Sequence, residues 1–390
     1  MFDTGNAHGD ELGGSLTISG DGTTMAVGAY FGDPNDIVDA GYVRLYTKDG
    51  TNWRILQELR GTQENEWFGW SVSLSYDGSV LTIGSFDSAF HIYELSNASS
   101  LYTLLDTKIY NTWAATVSSD GRVIGVTNSD IANTTTASFY QRSGTDFVEM
   151  GRSISGYSIY AELYFSYDGS VAIIGDYSWS NNTGRVSAFQ FNINGGWAQM
   201  GDDIEGNADN DRLGLYGCLS ITHNGLIVAV GAQGYDGKGN DTNTGVVRVY
   251  RYDGTSNTWN QRGDDLVGES PNDSFSTTAL SSDGMYLTVG TSSDNIGYVN
   301  IYEWSGSNYD LFKEPISDEY NNSHFGFYVD SSADGSVVAI GAYGHENNTG
   351  RVYVYETGLS TTSSSSFVRA MSGYGMAFLL SLAVLSAFIL

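Results

Sequence analysis

Seven times along this chain an apolar segment ends in Ser or Thr, turns through Asp-Gly or Asn-Gly, and runs into a second apolar segment carrying Gly near its end. The turn glycines are Gly22, Gly78, Gly121, Gly169, Gly225, Gly284 and Gly335, at steps of 56, 43, 48, 56, 59 and 51 residues. Asp-Gly and Asn-Gly are strong two-residue hairpin signals, because both positions accept φ > 0 and the resulting twist matches the strands. A period in this range marks a propeller or a solenoid, and antiparallel hairpins within each unit select the propeller.

The clearest unit places strands at Leu219-Ser220-Ile221-Thr222, Leu226-Ile227-Val228-Ala229-Val230 and Val246-Val247-Arg248-Val249-Tyr250, with a fourth beginning at Trp259. Third strands recur at Tyr42, Arg185, Tyr298 and Arg351, and fourth strands open on Trp53, Phe147, Trp197, Trp259 and Tyr309. An aromatic repeated at one place in most units reads as packing between blades. The expected fold is all-β: a seven-bladed β-propeller of antiparallel four-stranded blades over residues 1–358. Its units run 10–61, 67–107, 112–156, 160–206, 212–268, 274–318 and 324–358.

Phe68-Gly69 and Phe325-Gly326, softened to Leu12-Gly13 and Leu213-Gly214, open several units, and Gly28-Ala29, Gly231-Ala232 and Gly341-Ala342 close second strands. With these pairs the chain resembles the FG-GAP repeat propellers, the group that includes the integrin alpha-subunit head. That resemblance implies extracellular adhesion or ligand binding, and often calcium. The family's calcium loop lies between the first two strands of a blade, and here it has shrunk to Ser-x-Asp-Gly, too short for the six to eight oxygens Ca²⁺ takes. The family site is therefore not carried over, and no cofactor is assigned. Ca²⁺ stays open only at weaker candidates, Asp33, Asp36 and Asp39 in one loop and Asp236 and Asp241 in another.

In an up-and-down blade the loop after the second strand and the loop to the next blade share one face. Length and acidity concentrate there: residues 31–40, 176–183, 233–244 and 343–349, with inter-blade acids Asp10, Glu11, Glu64, Glu66, Asp209, Asp211 and Asp273. Variable loops on a rigid scaffold are where binding usually sits. Asp33, Asp36, Asp39, Trp179, Asp236, Asp241, His345 and Glu346 are the candidate ligand-binding residues.

The 17 basic and 45 acidic residues give a net charge of −28, which argues against nucleic acid as a partner. Cys218, the one cysteine, sits in a strand pattern and reads as a core thiol. The Ser-x-Asp-Gly turn lacks the spacing and trailing Trp of a sialidase Asp-box, the five His have no metal-ligand spacing, and there is no Gly-x-Ser-x-Gly, P-loop or dinucleotide fingerprint. The reading is a non-catalytic propeller that recognises an extracellular protein or glycan at the surface of the cell. A secreted glycosidase-like enzyme and a structural wall or matrix protein are the alternatives.

Residues 359–375 form a Ser/Thr-rich linker, and 376–390 are apolar except for two serines. Fifteen residues make about 22 Å of helix, against a hydrocarbon core of about 30 Å. The tail fits a GPI-anchor signal with attachment at Ser363, Ser364, Ser365 or Ser366, or a membrane helix starting near Ala370; either tethers the chain to a membrane. N-glycosylation sequons stand at Asn97, Asn133, Asn181, Asn240, Asn272, Asn321 and Asn347. The seventh unit stops at Tyr355-Glu356 without a fourth strand, and residues 5–13 align with 206–214. The last blade is therefore expected to lack its outer strand, with that strand and a signal peptide lying upstream of Met1.

Overall fold

The computed structural model describes residues 2–86, 88–129, 135–158, 161–237, 242–291 and 296–359. Seven antiparallel blades follow one another around an axis. Blade 1 is Ser15–Ile18, Thr24–Ala29, Tyr42–Asp49 and Asn52–Arg60, in that order from the axis outward. Blades 2 and 3 share one long strand, Tyr102–Val117. Its first part pairs outside Ser88–Leu95, and its second part, 112–117, is the innermost strand against Val123–Ser129. The innermost strands of blades 4 to 7 are Glu162–Phe165, Leu219–Ile221, Phe275–Leu280 and Val329–Ser331.

Second strands such as Val171–Asp176, Ile227–Ala232 and Val337–Ala342 are buried along their whole length. That follows from position, since each blade presses both faces against neighbours and its second strand is flanked by the first and third, away from both the channel and the rim. The apolar core is accordingly divided into seven clusters, one between each pair of adjacent blades. The cluster joining Val337, Ala339, Val352 and Val354 to Leu16, Ile18, Met25 and Val27 packs the last blade on the first and closes the circle. The recurrent fourth-strand aromatics serve these interfaces. Trp197 Nε1 donates to Met150 O at 3.2 Å and Trp259 Nε1 to Met200 O at 2.7 Å, each carbonyl belonging to the preceding blade.

The Ser-x-Asp-Gly turn is a folding device with one geometry. In blade 2 the Ser75 hydroxyl donates to Asp77 Oδ1 (2.9 Å) and accepts the Val80 N–H (2.9 Å), while Asp77 Oδ1 also accepts the Ser79 N–H (2.9 Å). The same three bonds recur at Ser19, Ser118, Ser166, Ser281 and Ser332, and at Thr222 with Asn224. Backbone bonds then link turn to turn around the axis: Asp21 to Tyr76, Tyr76 to Ser119, Asp120 to Tyr167, Tyr167 to His223, His223 to Ser282, Ser282 to Ala333 and Ala333 to Gly20, N–H to carbonyl at 2.7–3.2 Å. This ring runs through all seven turns and links the last blade to the first at the short-turn end.

The paired glycines have a steric cause. A Cβ on Gly28 would stand 2.3 Å from Gly69 O of the next blade, and one on Gly341 would stand 2.2 Å from Gly13 O. Backbones of adjacent blades touch there, so a side chain would wedge the interface open.

The outer position of the last blade, expected to be empty, is partly filled. Phe2–Thr4 pairs antiparallel with Arg351–Tyr353. Three residues are too few to show a strand period. The segment is held from blade 1, where buried Arg44 donates to Asp3 Oδ2 (3.1 Å) and Thr4 O (2.6 Å) and the Tyr46 hydroxyl donates to Asp3 Oδ2 (2.8 Å). It therefore ties blade 7 to blade 1. Outside Val354–Glu356, no strand is paired among the described residues.

Candidate functional site

The long loops gather on one face, as the up-and-down topology requires, and lock to each other in pairs. Asn65 and Trp67 donate backbone N–H bonds to Val38 O (2.9 Å) and Asp39 O (3.0 Å), Asn210 and Arg212 to Asn181 O (3.1 Å) and Asn182 O (2.8 Å), and Asn272 and Ser274 to Thr242 O (2.8 Å) and Asn243 O (2.9 Å). Much of the acidity on this face works inside the loops. Asp10, Asp211 and Asp273 are buried, and each accepts two backbone N–H bonds from residues three and four earlier, at 2.8–3.1 Å.

The candidate ligand-binding residues lie on loops of blades 1, 4, 5 and 7 and are not drawn into one cluster. Asp33 Oδ1 accepts the Asp39 N–H at 2.8 Å, and burial together with the Asp33 charge raises the Asp39 carboxyl. Asp36 is exposed on the same loop. Asp236 Oδ1 accepts the Asn243 N–H at 3.0 Å. Trp179 is half-buried under the Arg185 guanidinium, 5.5 Å from its ring centroid. His345, expected at the surface, is buried, with Nδ1 3.3 Å from Asp318 Oδ2 and its ring edge-on to Tyr320. Glu346 is exposed and 3.5 Å from the Arg351 guanidinium. Asp241 lies outside the described residues. Among the described residues, no three His, Cys, Asp or Glu side chains are grouped to hold a metal ion.

Asn97, Asn181, Asn272, Asn321 and Asn347 are exposed, whereas Asn133 and Asn240 lie outside the described residues. Asn181 (φ 58°), Asn272 (φ 64°) and Asn347 (φ 57°) are left-handed, a conformation in which Asn is the favoured side chain after Gly. The loop geometry alone thus calls for Asn at these sequons. Ser363 to Ser366 and the apolar tail also lie outside the described residues, and no described helix is long and apolar enough to cross a membrane.

Around the axis on the long-loop face stands an aromatic group that the sequence reading missed. Trp70 meets Tyr30 (5.0 Å between centroids), Phe86 (5.1 Å) and Tyr216 (6.1 Å). Phe31 and Trp67 extend the group on one side, Tyr177 on another, and Phe327 contacts Tyr328 and Tyr343. A signal was present. Trp70 and Phe327 each follow the glycine that opens a blade, and that position faces the channel mouth.

Beneath this mouth the innermost strands of all seven blades line a cavity of about 220 Å³. An innermost strand presents an unpaired backbone edge. Side chains of the neighbouring blade serve that edge: Ser71 Oγ accepts the Ala115 N–H and Ser73 Oγ the Val117 N–H, both at 3.2 Å. Two blades use a carboxylate instead. Asp330 Oδ2 accepts the Ile18 N–H at 2.9 Å, and Glu162 Oε2 accepts the Gly217 N–H at 3.1 Å. Loss of hydration pushes the Asp330 carboxyl up to about 6 and Glu162 up to about 7, against hydrogen bonds that pull the other way. Tyr164 and Tyr328 donate to Glu162 at 3.2 and 3.4 Å. At the short-turn end Tyr76, Tyr167 and His223 are in mutual ring contact, and burial holds His223 down at about 4. Cys218 is buried and its thiol is pushed up to about 12, which makes it an inert core residue.

No protein-family model matches this chain, and no curated protein does. Solved structures are similar in fold. The β-propeller domain of Cps50 (Swd1) from Myceliophteria thermophila superposes with a TM-score of 0.59 at 13% identity, covering 91% of this chain and 98% of that one. Hydrazine synthase from Kuenenia stuttgartiensis gives a TM-score of 0.61 at 14% identity, with coverage of 91% and 98%. At such identity the likeness concerns the fold, and the chain is a seven-bladed β-propeller.

Proposed function

We propose that this chain is a non-catalytic binding propeller of the cell surface, which takes an extracellular protein or glycan on its long-loop face. The observation that carries the reading is the aromatic group at the mouth of the channel. Phe31, Trp67, Trp70, Phe86, Tyr177, Tyr216, Phe327 and Tyr343 are each only half-buried on a surface where the loops around them are pinned by backbone bonds. Half-buried aromatic rings on a rigid frame supply contact area at little entropic cost. Membership of the FG-GAP group is part of the proposal. It is supported by the close contact of the Phe-Gly glycine of one blade with the Gly-Ala glycine of its neighbour, as at Gly69 and Gly28. The test is a glycan array and a panel of secreted and surface proteins probed with the full chain, with and without EDTA. Binding lost in the Trp70→Ala variant supports the reading. Absence of binding throughout, or binding indifferent to Trp70, refutes it.

A further inference from the structure

At the centre of the long-loop face the aromatic rings enclose a pocket of about 50 Å³. Its walls are Tyr30, Trp70, Tyr216, Phe327 and Tyr328, with Gly14, Ser71, Ala114 and Ala161 filling the gaps. Glu162 lines it too, and no Lys, Arg or His does. Glu162, Tyr328, Ser71 and Ala114 also line the larger channel cavity, so the pocket is the vestibule of the channel.

We propose that this vestibule binds an alkylated ammonium group, with the five rings around the cation and Glu162 as its counter-ion. The inference rests on the long-loop face being the ligand face. Ring faces attract a cation through their quadrupole, and the attraction is greatest where water is excluded. A bare ammonium would have to give up strong hydrogen bonds that rings cannot replace, whereas an alkylated one has few to lose. An anion would meet a carboxylate and no cation. A sugar needs several polar partners around its ring, whereas in this pocket the Tyr30 hydroxyl is already donated to Glu11 and the Tyr328 hydroxyl to Glu162. The vestibule alone is smaller than a tetra-alkylated nitrogen, and the group extends into the channel cavity of about 220 Å³, which shares Ser71, Ala114, Glu162 and Tyr328 with it. The net charge of −28 favours a cation at longer range.

Glu162 makes the reading specific. In the same edge-serving role blade 2 uses serines, so a carboxylate is not required by the fold there. The groups facing it are the Tyr164 and Tyr328 hydroxyls, the Gly217 N–H and the Cys218 thiol, with Asp330 near Tyr164. All are neutral or negative near neutral pH, so none supplies the missing positive charge. Burial raises the Glu162 carboxyl, and a bound cation would lower it, so binding is expected to release a proton around pH 6 to 7 and to tighten as pH rises.

The test is titration of the full chain with tetramethylammonium, choline and 3,3-dimethylbutan-1-ol, the uncharged isostere of choline, followed by Trp fluorescence and calorimetry in two buffers of different ionisation enthalpy. Both cations are expected to bind at least about tenfold more tightly than the alcohol. Glu162→Gln should remove most of that preference and the proton release. Phe327→Leu, which keeps an apolar side chain, should weaken both cations, with melting curves confirming that each variant folds. Equal affinity for choline and the alcohol, or no ammonium binding at any concentration up to about 50 mM, overturns the proposal. If array ligands still bind the same preparation and still depend on Trp70, this inference fails while the long-loop face keeps its role. If both vanish, the face assignment fails as well.

Discussion

Replacing Glu162 by Gln is expected to change how stability depends on pH, by an amount the structure sets. The folded protein holds the Glu162 proton at about 7, whereas the unfolded chain releases it near the ordinary 4.5. Below pH 4.5 the acid is neutral in both states and costs nothing. As pH rises the unfolded chain ionises first, and the penalty on folding grows until the folded carboxyl has also ionised, just above pH 7. At about 1.4 kcal/mol per pH unit the full penalty is about 3 kcal/mol. Gln keeps an oxygen for the Gly217 N–H and does not ionise. Urea denaturation of both proteins between pH 4 and 8.5 should therefore give curves that diverge by about 3 kcal/mol, with Gln the more stable at the alkaline end. Tyr164 and Tyr328 stay neutral throughout, since burial lifts them well above 10 and Cys218 to about 12. The other titrating groups in the channel are Asp330, raised to about 6, and His223, lowered to about 4; Asp330→Asn as background removes the first, and His223 contributes equally to both proteins being compared. Curves that stay parallel within about 0.5 kcal/mol would refute the claim that Glu162 is desolvated and lacks a counter-charge in the ligand-free protein.

Other substitutions probe the frame. Ser166→Ala removes the hydroxyl that both donates to Asp168 and accepts the Val171 N–H, and should cost about 1–3 kcal/mol in urea unfolding. Trp259→Phe keeps the ring packing but strands Met200 O, and should cost about 1 kcal/mol. Asp3→Ala releases the N-terminal strand from Arg44 and Tyr46, and should raise amide exchange at Arg351–Tyr353 while leaving blades 3 to 5 unchanged. Asn347→Val forces a β-branched residue into φ 57° and should lower stability by about 1–2 kcal/mol, where Asn347→Gly is neutral.

What the sequence carried plainly was whatever the fold repeats. The Ser-x-Asp-Gly hairpin returns because each blade needs the same Ser–Asp–backbone knot, and a device used seven times survives divergence of everything around it. The division into a short-turn face and a long-loop face followed from strand alternation alone. What the sequence hid depends on contacts between residues far apart. Glu162 looks like one more polar position on a strand, and only the closed ring sets it beside Gly217 and Tyr328. The loop acids drew attention by charge, yet Asp10, Asp211 and Asp273 are turned inward as backbone caps. His345 was misplaced for a related reason, because its loop folds it back onto Asp318. The strand Phe2–Thr4 escaped notice because its anchor, Arg44, lies 41 positions beyond Asp3.

The central claim is that ligands enter at the aromatic, long-loop mouth and not at the short-turn end, where Tyr76, Tyr167 and His223 stand in ring contact. Binding of the same array-identified ligand by Trp70→Ala, Tyr216→Ala and Tyr167→Ala, each checked for an unchanged fold, tests it directly. The first two should lose most of the affinity, and Tyr167→Ala should match the parent. Loss in Tyr167→Ala alone would place the working surface on the opposite face and contradict the account.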